Sequence, residues 1–121
     1  MYNIIYGKSG EKQAAKFLKK NGYKLIETNF RTPVSEIDII AFDKKVLCFI
    51  EVKTRKSDAF GTPSEAVDFK KQRKIIQGAY LYLQNRESDF EVRFDIVEVY
   101  ADKNFKDVKF NLIKNAFDNS F

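Results

Sequence analysis

Apolar residues recur along the chain with two periods, one typical of helices and the other typical of strands. A helix is predicted over 7–21, where the apolar positions form one stripe at helical spacing and Gly22 follows as a stop signal. That stripe consists of Ala14, Ala15 and Leu18. The chain is therefore expected to begin with an amphipathic helix.

A second, longer helix is predicted after a loop that contains Gly61 and Pro63. Ser64 is a suitable N-cap residue, and Glu65 suits the positive end of a helix. The apolar positions that follow keep helical spacing as far as Leu83, where the helix is expected to end.

The strand signals are runs of β-branched and aromatic residues bounded by polar turns. They predict strands over 24–31, 36–42, 46–54, 91–100 and, with a more ambiguous pattern, 108–113. A hairpin joins the second and third strands, and the long helix can serve as the crossover to a parallel strand. The sequence thus predicts one α/β domain over 1–121, with the order α-β-β-β-α-β and a mixed central sheet flanked by helices.

Two of these strands carry charges where their pattern predicts apolar residues. The segments 36–42 and 46–54 are apolar on both faces over most of their length, which is typical of central, doubly buried strands. Charged side chains occur only at one end of each strand and on one face. They are Glu36 and Asp38 on the first strand, and Glu51 and Lys53 on the second.

A tight turn at 44–45 sets the register of this hairpin. Counting outward from the turn gives the facing pairs Asp43–Val46, Phe42–Leu47, Ile40–Phe49, Asp38–Glu51 and Glu36–Lys53. Facing residues point to the same side of a sheet about 5 Å apart, so the carboxylates of Asp38 and Glu51 would repel each other. Lys53 can offset this repulsion, and so can Mg²⁺, which takes oxygen ligands from one or two carboxylates and from phosphate.

A third carboxylate, Glu11, lies on the apolar stripe of the first helix. A favourable interaction with the helix dipole is the alternative explanation for its position. The acids and Lys53 could likewise form a structural ion-pair network at the end of the sheet. The functional alternative is a site in which carboxylates hold a metal while the ammonium contacts phosphate or activates water, as phosphodiester cleavage requires.

Composition limits the chemistry that is open to the chain. It has 121 residues, of which 44% are hydrophobic, and it contains no His and a single Cys. Triads that need His, His-ligated zinc and intramolecular disulfides are therefore excluded, and Cys48 is expected to be a small buried residue. With no apolar leader and no membrane span, a cytoplasmic location is expected. The net charge of +5 only weakly favours a polyanionic partner. The alternative is a basic domain that binds no polyanion.

The acid Asp38, followed across a hairpin by Glu51-Val52-Lys53, resembles the motif of the PD-(D/E)xK nucleases. The wider pattern resembles the YraN family of small bacterial proteins from Gly7 to about Phe117, and it is also similar to archaeal Holliday-junction resolvases. This pattern comprises Gly7-Lys8-Ser9-Gly10-Glu11, Ala14, Leu18, Gly22-Tyr23, Asn29-Phe30-Arg31, Ser35-Glu36-Ile37-Asp38-Ile39-Ile40, Phe49-Ile50-Glu51-Val52-Lys53-Thr54-Arg55, Phe60-Gly61, Glu65-Ala66-Val67, Lys71-Gln72, Ala79 and Arg93-Phe94-Asp95.

The resemblance implies a restriction-endonuclease-like core and a role for each residue that matches the motif. Asp38, Glu51 and the carbonyl of Val52 would hold Mg²⁺ or Mn²⁺, and Glu11 would complete the site. Lys53 would orient water and stabilise charge on the phosphate. Accessory positions would be Glu36, Thr54, Lys71 and Gln72. Ile37 and Ser35 depart from the usual Pro and Gly of these patterns without touching the chemistry.

The basic residues near the motif are expected to form a phosphate-binding surface. They are Arg55, Lys56, Lys70, Lys71, Arg73 and Lys74, with a solvated helix face as the alternative for Lys70 and Lys74. Arg93 and Asp95 are predicted to form a structural pair.

The resulting hypothesis is a metal-dependent endonuclease that hydrolyses DNA, including branched or otherwise structured DNA. The choice between DNA and RNA stays open at this point. Resolvase-like action would require a homodimer, for which the sequence shows no interface. The alternatives are a nucleic-acid-binding module without catalysis and a scaffold on a nuclease fold.

Overall fold

A computed structural model describes residues 2–63, 67–84, 86 and 90–118 of the chain. Its elements, in chain order, are helix α1 (Tyr2–Lys20), strands β1 (Tyr23–Arg31), β2 (Glu36–Asp43) and β3 (Val46–Arg55), a 3₁₀ turn (Ser57–Ala59), helix α2 (Phe69–Leu83), and strands β4 (Glu91–Tyr100) and β5 (Lys109–Ile113). The predicted order of elements is confirmed. In the described part of the chain, no helix is long and apolar enough to cross a membrane.

The five strands form one mixed sheet in the order β1-β2-β3-β4-β5. All neighbouring strands are antiparallel except β3 and β4. These two are parallel because α2 connects them and brings the chain back to the end of the sheet at which β3 begins. The α/β class is confirmed, and the order of elements is compatible with a restriction-endonuclease-like core.

Helix α1 begins at Tyr2, earlier than the predicted boundary at residue 7. The hydroxyl of Tyr6 donates to the carbonyls of Arg55 and Ala101, which ties this extra turn to the sheet. The helix ends as predicted, because Gly22 takes a left-handed φ of 89° that is accessible to glycine at little cost.

Helix α2 begins at Phe69, so the predicted start at Ser64 is wrong. Asp68 is the N-cap residue, and its side chain accepts a hydrogen bond from the Lys71 N–H at 2.9 Å. Aspartate is a preferred N-cap residue, because its carboxylate accepts a backbone N–H of the first turn that has no partner within the helix. Ser64 and Glu65 themselves lie outside the described residues.

Apolar side chains cover both faces of the sheet, as the central-strand pattern predicts. Ala14 and Leu18 of α1 pack on one face, and Ile75 and Ala79 of α2 pack on the other. The alternation of a regular strand predicts Ile37 on the same face as Ile39 and Ala41, and this expectation fails. Ile37 instead packs with Ile40 on the α2 face, so β2 changes the face it presents next to Asp38.

The end of the sheet nearest the hairpin turn holds a separate charged network. Arg93 pairs with Asp95 at 2.8 Å, as predicted, and also with Asp43 at 2.8 Å. Cys48 is fully buried, as predicted, and burial raises the pKa of its thiol to about 12. A thiol in this state is a packing residue and not a nucleophile.

Candidate active site

Strands β2 and β3 separate at the end of the hairpin remote from the turn. The predicted register holds from the turn as far as Ile39 and Ile50. Beyond them β2 stays paired with β1, and β3 stays paired with β4. The Asp38 side chain bridges the opening, because its Oδ2 accepts the Val52 N–H at 2.8 Å. The sheet thus opens at Asp38 and leaves carboxyl groups at the gap.

Asp38 is half-buried, and burial is the main cause that raises the pKa of its carboxyl to about 8. The negative charge of Glu51 raises this pKa further, as do the charge and hydrogen bond of Glu11, whereas the Val52 N–H lowers it. The predicted proximity of Asp38 and Glu51 is therefore present, although the backbone pairing ends before this pair. Near neutral pH the carboxyl of Asp38 keeps its proton unless a cation displaces it.

Three carboxylates converge on the α1 side of the opening. Oxygen atoms of Glu11, Glu36 and Asp38 lie within 4.8 Å of one another, a spacing at which they could share a metal ion. Glu36, predicted to be accessory, thus lies in the same group of carboxylates as Glu11 and Asp38. Arg31 holds Glu36 through an Nε–Oε2 contact of 2.9 Å.

Asn29 is a site residue that the sequence analysis missed. Its side-chain amide donates to Glu36 at 3.1 Å and to Glu11 at 3.4 Å, so it links two of the three acids. Asn29 also takes a left-handed φ of 52°, which asparagine tolerates better than most residues. An asparagine inside a predicted strand, where it is disfavoured, was the signal that could have identified it.

Glu51 already has a basic partner. Glu51 is almost fully buried, with 8% of the residue exposed, and its carboxylate forms an ion pair with Nζ of Lys71 at 2.8 Å. Burial lowers the pKa of Lys71, but the hydrogen bond and charge of Glu51 outweigh this effect, and the pKa is raised overall. Lys71 therefore reaches the site from α2, as predicted, and does so as a cation.

The side chains of Lys53 and Thr54 lie on opposite faces of β3. Lys53 is half-buried, shares the face of Glu51 by strand alternation, and lies opposite Glu98 of β4 in the register. Thr54 points to α1, where it approaches the backbone at Gly10 closely. A side chain at position 10 would overlap the Thr54 hydroxyl, so glycine allows α1 to approach the site.

Three neighbouring clefts meet at Asp38, with volumes of about 480, 490 and 620 Å³. The first lies along α1 and includes Glu11 and Glu36, and the second lies along α2 and includes Glu51. The third includes Val52, a predicted ligand. Each cleft is in the size range of small-molecule sites, which is sufficient for a nucleotide unit.

The predicted nucleic-acid-binding residues divide into two groups. Lys70 and Lys74 are exposed and line the α2 cleft with Asp38, and Lys56 is exposed beside the third cleft. Arg55 was predicted to bind nucleic acid, but its side chain is only 18% exposed and is paired with the fully buried Glu98. The structure therefore gives Arg55 a role inside the protein.

Two further residues of α2 have local partners. The amide of Gln72 donates to the carbonyl of Val67 at 2.8 Å, so it holds the segment before α2. The guanidinium of Arg73 lies 5.8 Å from the centre of the exposed Phe69 ring. The predicted accessory role of Gln72 and the nucleic-acid role of Arg73 stay predictions.

Comparison with known proteins identifies the family of this chain. Residues 10–99 match the family described as "Uncharacterised protein family UPF0102". The chain belongs to the UPF0102 family. It is 49% identical over 116 residues to a UPF0102 protein of Acetivibrio thermocellus, a match that covers 92% of this chain and 89% of that protein.

Two further UPF0102 proteins match over similar lengths. The protein of Caldanaerobacter subterraneus subsp. tengcongensis is 49% identical over 113 residues, covering 92% of this chain and 93% of its own length. The protein of Clostridium botulinum Loch Maree is 46% identical over 117 residues, covering 95% of both chains. The resemblance to the YraN-like, UPF0102 family is thus confirmed, while the family's description states no activity.

Proposed function

We propose that this UPF0102 protein is a metal-dependent endonuclease that hydrolyses phosphodiester bonds of DNA. The observation that carries the proposal is the position of Asp38, whose half-buried carboxyl lies beside Glu11, Glu36 and Glu51 at an opening in the sheet. So many carboxyl groups around one point favour a divalent cation, because each ionised neighbour repels the others until a cation binds.

The residues at this opening fit Mg²⁺ or Mn²⁺, which take oxygen ligands. Asp38, Glu51 and the carbonyl of Val52 would hold the ion, with Glu11 completing the set and Glu36 close enough to contribute. When bound, the metal would polarise a phosphoryl oxygen and lower the pKa of a water molecule.

The chain's own side chains would position the other reactants. Lys53, on the face of Glu51, would orient the attacking water and stabilise negative charge on the phosphate. The ammonium of Lys71 lies 2.8 Å from Glu51, so it would be available to the substrate phosphate when Glu51 serves as a metal ligand. Lys70 and Lys74 border the same cleft and would hold the flanking backbone.

A cleavage assay tests this function. Labelled duplex DNA, single strands, flaps, four-way junctions and RNA are incubated with Mg²⁺ or Mn²⁺ and the wild type, Asp38→Asn, Glu51→Gln or Lys53→Met. We expect cleavage by the wild type and a loss of at least about 100-fold in each variant, the range seen when a group that stabilises the transition state is removed. Asp58→Asn, an exposed acid outside the three clefts, is the control and should cleave normally.

A nucleic-acid-binding module without catalysis is the second candidate. The ion pair between Glu51 and Lys71 favours it, because this carboxylate is neutralised without any metal. Calorimetric titration with Mg²⁺ and Mn²⁺ distinguishes the two functions. An endonuclease should bind the metal and lose that binding in Glu51→Gln, whereas a binding module should bind DNA equally well with and without a chelator and cleave none of the substrates.

A further inference from the structure

Helix α1 carries basic residues beside the site to which the sequence analysis assigns no role. Lys8 and Lys12 are one helical turn apart and both exposed, and they line the cleft that contains Glu11 and Asp38. Lys8 also borders the third cleft. Neither lysine forms an ion pair with any residue that the structure describes. Their charges are therefore available to a ligand in the α1 cleft.

Helix α2 carries a matching pair on the other side of Asp38. Lys70 and Lys74 are also one turn apart and exposed, and they line the cleft that contains Glu51. Like the α1 pair, they have no ion-pair partner among the described residues. A polyanion that reaches Asp38 thus meets two lysines whichever of these two clefts it follows.

The two helices pack on opposite faces of the sheet, so the two lysine pairs lie on opposite sides of the opening at Asp38. A single strand that lies in one cleft offers its one phosphate backbone to one pair. A duplex has two backbones that run side by side and can present one to each pair while one of them crosses the opening at Asp38. The separation of the basic pairs therefore favours a double-stranded ligand.

We infer that the substrate is a nucleic-acid duplex that lies across the open end of the sheet, with one backbone on Lys8 and Lys12 and the other on Lys70 and Lys74. This inference rests on the proposed function, since it names the substrate class of the same site. It adds α1 as a phosphate-binding element and selects double-stranded over single-stranded nucleic acid.

Equilibrium binding at several salt concentrations, with a chelator present to prevent cleavage, tests the inference. Fluorescent duplex DNA and one of its strands are titrated with the wild type, Lys8→Gln/Lys12→Gln and Lys70→Gln/Lys74→Gln. Each lost phosphate contact on duplex DNA lowers the slope of log affinity against log salt by about 0.9, so each double variant should lower it by about 1.8. With the single strand, at most one of the two double variants should change the slope.

Lys16→Gln/Lys20→Gln is the matched control, because these lysines are exposed on α1 at the same spacing and line none of the three clefts. It removes the same charge and should leave the slope unchanged. Thermal melts check that all variants fold. The inference is overturned if the α1 variant behaves like this control, or if both clefts contribute equally to binding of the single strand.

The inference and the proposed function can fail separately. If the duplex uses both lysine pairs but no substrate is cleaved in Mg²⁺ or Mn²⁺, the interface stands and the nuclease function fails. If only single strands are bound and cleaved, the nuclease function stands and the assignment of a duplex is overturned.

Discussion

The carboxyl of Asp38 accepts the Val52 N–H and faces Glu51 and Glu11, and burial with these two charges raises its pKa to about 8. In the unfolded chain the same carboxyl titrates near 3.8. Between these two pH values the folded protein retains a proton that the unfolded chain has released. The free energy of unfolding of the metal-free protein should therefore decrease as pH rises from about 4 to about 8, by up to about 1.4 kcal/mol per pH unit.

Replacement of Asp38 by asparagine should remove this dependence. The amide side chain introduced by the substitution carries no charge at any pH. Chemical denaturation of Asp38→Asn should therefore show a flatter pH profile over this window and higher stability than the wild type at about pH 8. Asp58→Asn removes an exposed acid elsewhere and should keep the wild-type profile. A wild-type stability that is constant from about pH 4 to 8, or that increases, would contradict the raised pKa.

Lys71 gives a second prediction at the scale of a single residue. Lys71→Gln leaves the buried carboxylate of Glu51 without its ion pair, but the lysine side chain is 52% exposed, so solvent screens the pair. We expect a loss of about 1 kcal/mol in the free energy of unfolding without metal. The rise in melting temperature on adding Mg²⁺ should be larger in Lys71→Gln than in the wild type, because the metal no longer competes with the ammonium for Glu51.

Lys74→Gln is the control for this measurement. Lys74 lies on the same helix and the same cleft, and it has no ion-pair partner among the described residues. Its replacement should leave the unfolding free energy within about 0.5 kcal/mol of the wild type, as is usual for surface substitutions. An equal effect of both variants on the response to Mg²⁺ would show that the Lys71–Glu51 pair does not compete with metal.

At the scale of an element, two glycines of α1 predict opposite effects on stability. A Cβ at Gly10 would overlap the hydroxyl of Thr54, whereas a Cβ at Gly7 would meet nothing within 4 Å. Gly10→Ala should therefore lose about 1–3 kcal/mol by overpacking. Gly7→Ala should gain about 0.5–1 kcal/mol, because alanine loses less conformational entropy in a helix. Urea unfolding measures both values.

The double variant Gly10→Ala/Thr54→Ala checks the cause. Removing the Thr54 hydroxyl and methyl leaves its Cβ 3.0 Å from the new methyl group, so part of the lost stability should return. If Thr54→Ala does not improve Gly10→Ala, the cost comes from helix propensity or from another contact, and α1 does not depend on Gly10 for its close approach to β3.

At the scale of the whole molecule, metal binding, protonation and folding should be linked. Because Asp38 keeps a proton near pH 7, binding of Mg²⁺ or Mn²⁺ should release close to one proton at that pH and almost none at about pH 10. Calorimetry in buffers with different heats of ionisation counts the protons. Asp38→Asn should release none at either pH, and a wild type that binds metal at pH 7 without proton release would exclude Asp38 as a ligand with a raised pKa.

The sequence by itself determined the order of elements, the register of the β2–β3 hairpin from its turn to Ile39 and Ile50, and the location of Asp38 and Glu51 near its open end. These features follow from local signals, since hydrophobic period, turn residues and strand alternation act over a few neighbouring positions. The same signals placed Lys71 on α2. The packing of α2 against the sheet then brings Lys71 to Glu51.

Only the tertiary structure decided which side chains complete the site and which do not. Asn29 donates to Glu36 because β1 pairs with β2. Arg55 forms an ion pair with the buried Glu98 because β3 pairs with β4. Ile37 packs on the α2 face against the alternation expected of a regular strand, and α2 begins after Asp68. The position of Lys8 and Lys12 beside the site likewise depends on how α1 packs against the sheet, which the hydrophobic period of the sequence does not encode.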